Sequence, residues 1–335
     1  MKLITSEQMR ECDRRTIEGI GLEGPTDGLV LMERAGWGIF TALRRHFGAL
    51  AQRPILILCG RGNNGGDGLV VARLLEECRL HPEVVLLAEE GALSPDARVQ
   101  WKRYAALNGR RRIVTGSEQL EATVEQVLRG HRSHPPLVVD GLLGTGARGA
   151  PRGLIGAGVS VIGRLRAEVA AEVLAIDLPT GVDADTGQVP GEAVEADVTV
   201  TMAYAKAGFF AYPGRSYVGR LHVADIGIPR SVERDVGLQL NLTTAEDLLL
   251  LLPRRGADTH KGREGRLLIV GGSPGLTGAP TLAARAALRS GAGLVTLAIP
   301  ESLNPILEGK LTEAMTQQCP ETGAGPSLVT QTAIV

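Results

Sequence analysis

The sequence predicts a doubly wound α/β fold: a mostly parallel sheet with helices on both faces, followed by an incomplete second α/β segment. Three observations predict it. Short unbroken runs of valine, isoleucine and leucine recur along the chain, as at 55–58, 84–87, 137–139 and 173–176. Helical segments separate these runs, and strands without polar alternation belong to a parallel sheet covered on both faces. Glycine-rich turns follow several runs, and 44 glycines with 44% hydrophobic but only 3% aromatic residues suit tight strand–helix connections.

In chain order, Ser6 is placed to cap a first helix whose apolar positions Met9, Cys12, Ile17 and Ile20 lie roughly on one stripe. A second helix runs from about Leu29 to Phe47. The alternation follows, with helices expected over 66–79, 95–107, 118–129 and near 154–168. Further strands are expected at 113–114, 198–202 and 221–223. A chain of 335 residues is long for one core and comfortable for two. The first domain is expected to span 1–230. A linker and short capping helix follow over 231–264, where Thr243 and Glu246 form a capping-box pattern. A strand at 267–270 and the loop GGSPGLTGAP open a second unit over 265–335. About 90 residues from 243 onward are few for an independent doubly wound domain, so this one is expected to be cut off.

Bulk properties narrow the function. A formal net charge of −1 gives no global field to attract nucleic acid or an anionic membrane. Four scattered cysteines (Cys12, Cys59, Cys78 and Cys319) make no C-x-x-C pair, which argues for a reducing compartment and against structural zinc. The start lacks an apolar signal core, and no stretch of about 18 apolar residues is present. A cytoplasmic protein with no nucleic-acid or membrane partner is the expectation.

Chemistry concentrates in three loops. CGRGNNGGDGLVVARLL, 59–75, satisfies G-x-G-x-x-G through Gly60, Gly62 and Gly65, the dinucleotide-binding pattern. It also carries Asn63, Asn64 and Asp67, and a carboxylate near a helix start is a poor neighbour for pyrophosphate. VVDGLLGTGARGAPRG, 138–153, sets Asp140 at a strand end before Gly144, Gly146 and Gly149. AIDLPTGVDADTG, 175–187, sets Asp177 at a strand end, with Pro179 forcing a break. A parallel sheet gathers all three loops on one rim. Alone, each is often only a turn, and Asp140 and Asp177 are then acids that cap it. Together they place backbone N–H groups that approach phosphate beside carboxylate, amide and hydroxyl oxygens. Such oxygens suit a hard cation, and their low formal charge favours a large monovalent ion over magnesium.

The motifs GRGNNGGDGLVVARLL, DGLLGTGARGAPRG and DLPTGVDADTG, in this order, resemble the YjeF N-terminal domain family, which contains the NAD(P)HX epimerases. The likeness covers nearly all of residues 1–230, including AYAKAGFFAYPGRSYVGRLHVADIGIP. The stretch HKGREGRLLIVGGSPGLTGAPTLAARAALRSGAGLVTLAIP resembles the start of the ADP-dependent NAD(P)HX dehydratase domain, which has a ribokinase-like fold. Together the two likenesses imply the bifunctional NAD(P)H-hydrate repair family, with its second domain truncated.

The resemblance implies that Asn63, Asn64, Gly65, Gly66 and Asp67 bind the substrate, NADHX or NADPHX. It implies a K+ site at Asn64, Asp140 and Thr180; the family usually has serine at this last position, and threonine keeps the hydroxyl. Gly144, Thr145, Gly146, Ala147, Arg148, Gly149 and Ala150 would hold the nucleotide's phosphates. Asp177 would approach the ring as the single acid/base that removes and returns water at C6, inverting it. Lys206 reads equally well as a ligand of phosphate or ring amide and as a solvated loop lysine.

In the second unit, Ala279 with Gly271, Gly272 and Gly278 would line part of the dehydratase's hydrate pocket. ADP or ATP with Mg2+ would serve only a complete dehydratase domain, so no dehydratase activity is expected from this chain. A homo-oligomer is expected. Two other readings compete. A non-catalytic YjeF N-terminal module, binding a ligand or partner, fits less well because the polar positions of all three loops are filled. An ordinary NAD-dependent dehydrogenase with Glu89 as its ribose acid lacks an evident catalytic partner for hydride transfer. His131 and His134 read as solvent-exposed, and His260 has no assigned role.

Overall fold

The computed structural model describes residues 1–129, 134–252, 255–321 and 333–334. Two compact units divide the chain, Met1–Thr244 and Ala245–Val335.

The first unit begins with strand β1 (Leu3–Ile4), helix α1 (Ser6–Glu18) and helix α2 (Gly28–His46). The alternating part comprises β2 (Ile55–Cys59), α3 (Asn63–Glu77), β3 (Glu83–Leu86), α4 (Pro95–Ala106), β4 (Arg110–Ile113) and α5 (Ser117–Leu128). It continues with β5 (Leu137–Gly141), α6 (Gly153–Val169), β6 (Glu172–Ile176), β7 (Val198–Met202), β8 (Ala205–Lys206), β9 (Arg220–Ala224) and α7 (Arg230–Val236). Seven strands form one sheet in the order β4-β3-β2-β5-β6-β7-β9, with every neighbouring pair parallel. The doubly wound expectation holds.

Successive strand residues point to opposite faces, and β2 shows it. Ile55, Ile57 and Cys59 enter a core cluster shared with α1 to α4, whereas Leu56 and Leu58 enter another shared with α5 and α6. All five are buried, so the strand reads as unbroken hydrophobicity. Chain direction across the sheet reverses between β2 and β5. That is the switch point where ligands of such sheets bind.

Two expectations change. Thr5, not Ser6, caps α1: Gln8 N–H donates to Thr5 Oγ1 at 3.2 Å, while Thr5 N–H donates to Gln8 Oε1 at 3.1 Å. Ser6 is the first helical residue, and its N–H donates to Asp185 Oδ1 at 2.6 Å. The linker expected over 231–264 also starts later. Helix α7 packs on α1, Val232 and Leu238 are buried in the main core, and Lys2 bridges to Asn241, so residues to 244 belong to the first unit.

The second unit contains α8 (Ala245–Leu251), β10 (Arg266–Val270), α9 (Gly278–Ser290), β11 (Leu294–Pro300), α10 (Asn304–Glu308), β12 (Met315–Cys319) and β13 (Ala333–Ile334). Its sheet runs β12-β11-β10-β13, the first three parallel and β13 antiparallel to β10. Among the described residues, no helix is long and apolar enough to cross a membrane.

Candidate active site

The three loops leave β2, β5 and β6, which are neighbours in the sheet. Two glycines of the first loop are there for packing. A Cβ on Gly60 would lie 2.0 Å from Leu142 O, and one on Gly65 2.0 Å from Gly60 O. The G-x-G-x-x-G match therefore records backbone passing against backbone. Helix α3 starts at Asn63 behind Gly62, so Asn63 and Asn64 fall in its first turn and Asp67 one turn on.

Asn64 is 7% exposed, while Asp140 and Thr180 are fully buried. Thr180 donates to the Asp140 carboxylate twice, from its N–H at 2.8 Å and its hydroxyl at 2.8 Å, and Leu142 N–H adds a third bond at 3.2 Å. Burial nevertheless dominates these hydrogen bonds and pushes the Asp140 carboxyl up to about 6. Leu143 ties in the amide: its N–H donates to Thr180 Oγ1 at 3.2 Å, and its carbonyl accepts from Asn64 Nδ2 at 2.9 Å. That orientation leaves Asn64 Oδ1 buried with no hydrogen-bond partner. A buried, unsatisfied carbonyl oxygen is costly without a ligand. The structure thus brings Asn64, Asp140 and Thr180 together, and their oxygens fit a hard monovalent cation. No cluster of three or more histidine, cysteine or acidic side chains suited to another metal occurs among the described residues.

Asp177 lies immediately beyond β6 with φ of 66°, a left-handed backbone unusual outside glycine. Its neighbour's N–H, on Leu178, donates to Ile176 O at 2.8 Å, closing a γ-turn centred on Asp177. A matching turn at the end of β7 is centred on Ala203, φ 58°, with Tyr204 N–H donating to Met202 O at 2.6 Å. Strained backbone at a strand rim is a common mark of function. Here it aims Asp177 at Lys206, whose Nζ lies 2.7 Å from Asp177 Oδ1 and donates to Thr201 Oγ1 at 2.7 Å. Thr201 in turn donates to Asp177 Oδ1 at 3.1 Å. Lys206 is only 1% exposed, so the solvated-lysine alternative does not describe it.

These groups open into a cavity of about 300 Å³. Asn63, Asn64, Asp67, Thr145, Gly146, Asp177 and Lys206 line it. Burial, reinforced by Asp177 and Asp13, pushes the Asp67 carboxyl well above the usual carboxylate range. Helix α1 supplies Met9, Arg10, Asp13 and Ile17, none of them among the expected site residues. The signal was present: Asp13 stands midway between Met9 and Ile17 at helical spacing, an acid on an apolar stripe.

Other expected residues lie elsewhere. Gly65 and Gly66 are buried backbone and do not line this cavity. Gly144, Ala147 and Gly149 line a small neighbouring one with Thr180. Arg148 is exposed but engaged, donating to Asp183 Oδ2 at 3.2 Å and Asp185 Oδ2 at 2.9 Å. Ala150 is half-buried beyond both cavities, and Ala279 is exposed at the start of α9 in the second unit. His134 is half-buried rather than exposed, and His131 lies outside the described residues.

A switch-point cavity on a seven-stranded parallel sheet, closed by added helices, defines a Rossmann-like α/β protein. Residues 28–208 match the family described as YjeF-related protein N-terminus, and the chain belongs to that family. Residues 267–335 match the family described as NAD(P)H-hydrate dehydratase. Among curated relatives, the chain is 44% identical over 326 residues to the bifunctional NAD(P)H-hydrate repair enzyme Nnr of Moorella thermoacetica, covering 97% of this chain and 59% of that one. The enzyme of the same name from Salinibacter ruber is 39% identical, with 95% and 58% covered, and that of Escherichia coli is 36% identical, with 84% and 51% covered. The chain thus spans a little over half the length of these relatives. Its fold is shared with a crystal structure of the yeast protein ynu0, at a TM-score of 0.58 and 21% identity, covering 74% of this chain and 98% of that one.

Proposed function

We propose that residues 1–230, with the segment to 244 that completes their fold, form an NAD(P)H-hydrate epimerase. It would interconvert the R and S forms of NADHX or NADPHX at C6 of the nicotinamide ring. The observation that carries this reading is the Asp177–Lys206–Thr201 group, aimed into one cavity with Asn63, Asn64 and Asp67. Asp177 serves as acid/base at C6, held in place by two donors and a γ-turn, and backbone N–H groups of the 144–150 loop face the phosphates. The unsatisfied Asn64 Oδ1 and the Asp140–Thr180 pair would hold K+. When bound, it supplies positive charge that organises the loops and offsets phosphate.

For the second unit we infer the beginning of an ADP-dependent NAD(P)H-hydrate dehydratase domain, with Ala279 beside the hydrate. Dehydration of the S epimer with ADP, or with ATP and Mg2+, is proposed for a protein of the relatives' full length. The test is a coupled assay. R-hydrate is supplied with a separate S-specific dehydratase, with and without potassium, and NADH is followed. Potassium-dependent return of NADH supports the reading; no rate above the uncatalysed one removes it.

A further inference from the structure

Helix α1 brings a further carboxyl group, that of Asp13, into the cavity that Asp67, Asp96 and Asp177 also line. On the same helix Glu11 pairs with Arg14 and Arg15, and Arg14 with Glu18, while Arg10 lines the cavity beside Asp13. Asp13 joins no ion pair or hydrogen bond of its side chain among the described residues and lines the cavity with Met9 and Ile17. Its position is fixed, because β1 just before α1 pairs with β8, which carries Lys206. Of the four acids that line the cavity, Asp177 enters from the sheet rim and Asp13 from an added helix, with Asp67 and Asp96 beside them.

Inversion at C6 gives that arrangement a use. The departing and arriving oxygens stand on opposite faces of the ring, and one carboxyl group addresses one face. Resting on the epimerase reading, we propose that Asp13 and Asp177 are a two-face acid–base pair. Asp13 gives its proton to the C6 hydroxyl on its own face. The C–O bond breaks, its electron pair leaves with water, and the ring-nitrogen lone pair forms a C6=N iminium. On the other face a water molecule gives a proton to Asp177 as its oxygen bonds to C6, and the C=N pair returns to nitrogen. One proton has passed from Asp13 to Asp177, no electron is gained or lost, and C6 is inverted. The other epimer starts from the reverse protonation state and runs the same path backwards. Burial raises the Asp13 carboxyl to about 7, the Lys206 ammonium opposing and the Asp177 carboxylate reinforcing the rise, so it gives and takes a proton near neutrality. Burial, with Asp177 and Asp13 nearby, pushes the Asp67 carboxyl well above the usual carboxylate range, which favours its protonated form.

Isotope exchange separates this mechanism from one acid acting alone. The full chain and its Asp13→Asn and Asp13→Ala variants are incubated with each hydrate in H2(18)O, and the epimers are resolved and weighed. The parent chain is expected to incorporate solvent oxygen with every inversion. In both variants inversion falls by about a hundredfold or more, while the epimer whose hydroxyl faces Asp177 still exchanges its oxygen with retention. Unchanged inversion in the variants overturns the pair. So does equal loss of inversion and exchange in a variant that melts like the parent. A parent chain that neither inverts nor exchanges overturns the epimerase reading itself, a result distinct from either.

Discussion

Lys206 Nζ sits 2.7 Å from Asp177 Oδ1 although the lysine is 1% exposed. Asp177 centres the γ-turn that ends β6, and Lys206 lies in β8 just after the γ-turn that ends β7, so the ion pair is built into the rim of the sheet. A buried ammonium that donates to Thr201 and to two main-chain carbonyls has no freedom to wander. It fixes one carboxylate oxygen and leaves the other free to face the cavity.

Replacing Asp177 with Asn should leave hydrate affinity within a few-fold of the parent and lower epimerisation by roughly two orders of magnitude. Separate measurement of Kd and kcat decides the matter. Near-parental kcat would remove Asp177 from the chemistry.

Lys206→Met is expected to cost both activity and stability, since the Asp177 carboxylate loses its partner; breaking a buried pair costs about 3 kcal/mol. Lys206→Arg should not restore the rate, because a planar fork does not reproduce a point charge with three donors. Denaturant melts and kcat of both variants test this, and full rescue by arginine would count against the packing described.

The proposed cation site ties potassium to pH through Asp140. Its folded carboxyl, raised to about 6, holds a proton that the unfolded chain releases near pH 4. Between these values the folded chain binds more protons, so this group makes stability fall as pH rises, by up to about 3 kcal/mol. A cation beside the carboxylate reverses the loss. Potassium should therefore raise the melting temperature at pH 7.5 and have little effect at pH 5, and Asp140→Asn should abolish the difference. A potassium response equal at both pH values would detach the ion from Asp140.

Arg148 is held by Asp183 and Asp185 at an exposed position. Its replacement by Ala should leave the melting temperature close to the parent's, because water and salt screen exposed pairs. If its guanidinium exchanges those carboxylates for substrate phosphate, KM rises severalfold with kcat unchanged. An unaltered KM takes it out of the phosphate loop's work.

Gly65→Ala tests the reading of the glycine motif. The added methyl would fall 2.0 Å from Gly60 O, a clash with backbone. Loss of about 3 kcal/mol or more is expected. A parental melting temperature would show that the loop has room to yield.

The sheet was legible because its inner strands are buried on both faces and read as continuous runs, and because Asp140 and Asp177 follow such runs directly. The grouping of Asn64, Asp140 and Thr180 was reached only through resemblance, since spacing alone does not say that Leu143 will bridge Asn64 to Thr180. Lys206 was legible as a ligand or a solvated lysine but not as the buried partner of Asp177, and Asp13 was not singled out. The β1–β8 pair that sets α1 beside Lys206 is two residues long on either side and far too short to show a period. The cap of α1 moved from Ser6 to Thr5 because Gln8 answers Thr5 with a reciprocal bond. The boundary after 230 moved because Val232 and Leu238 carry the core past it.

That short ribbon also sets the order in which the cavity can be assembled. Ile4 pairs with Lys206, partners some two hundred positions apart in the chain. Contacts of such separation are slow to form. During synthesis the first helix emerges long before the strand that will hold it. Until β8 arrives, α1 has no ribbon to dock on, and the cavity lacks both Lys206 and the wall that carries Asp13. The sheet can be folded and the rim loops in place while the pocket is still open on that side.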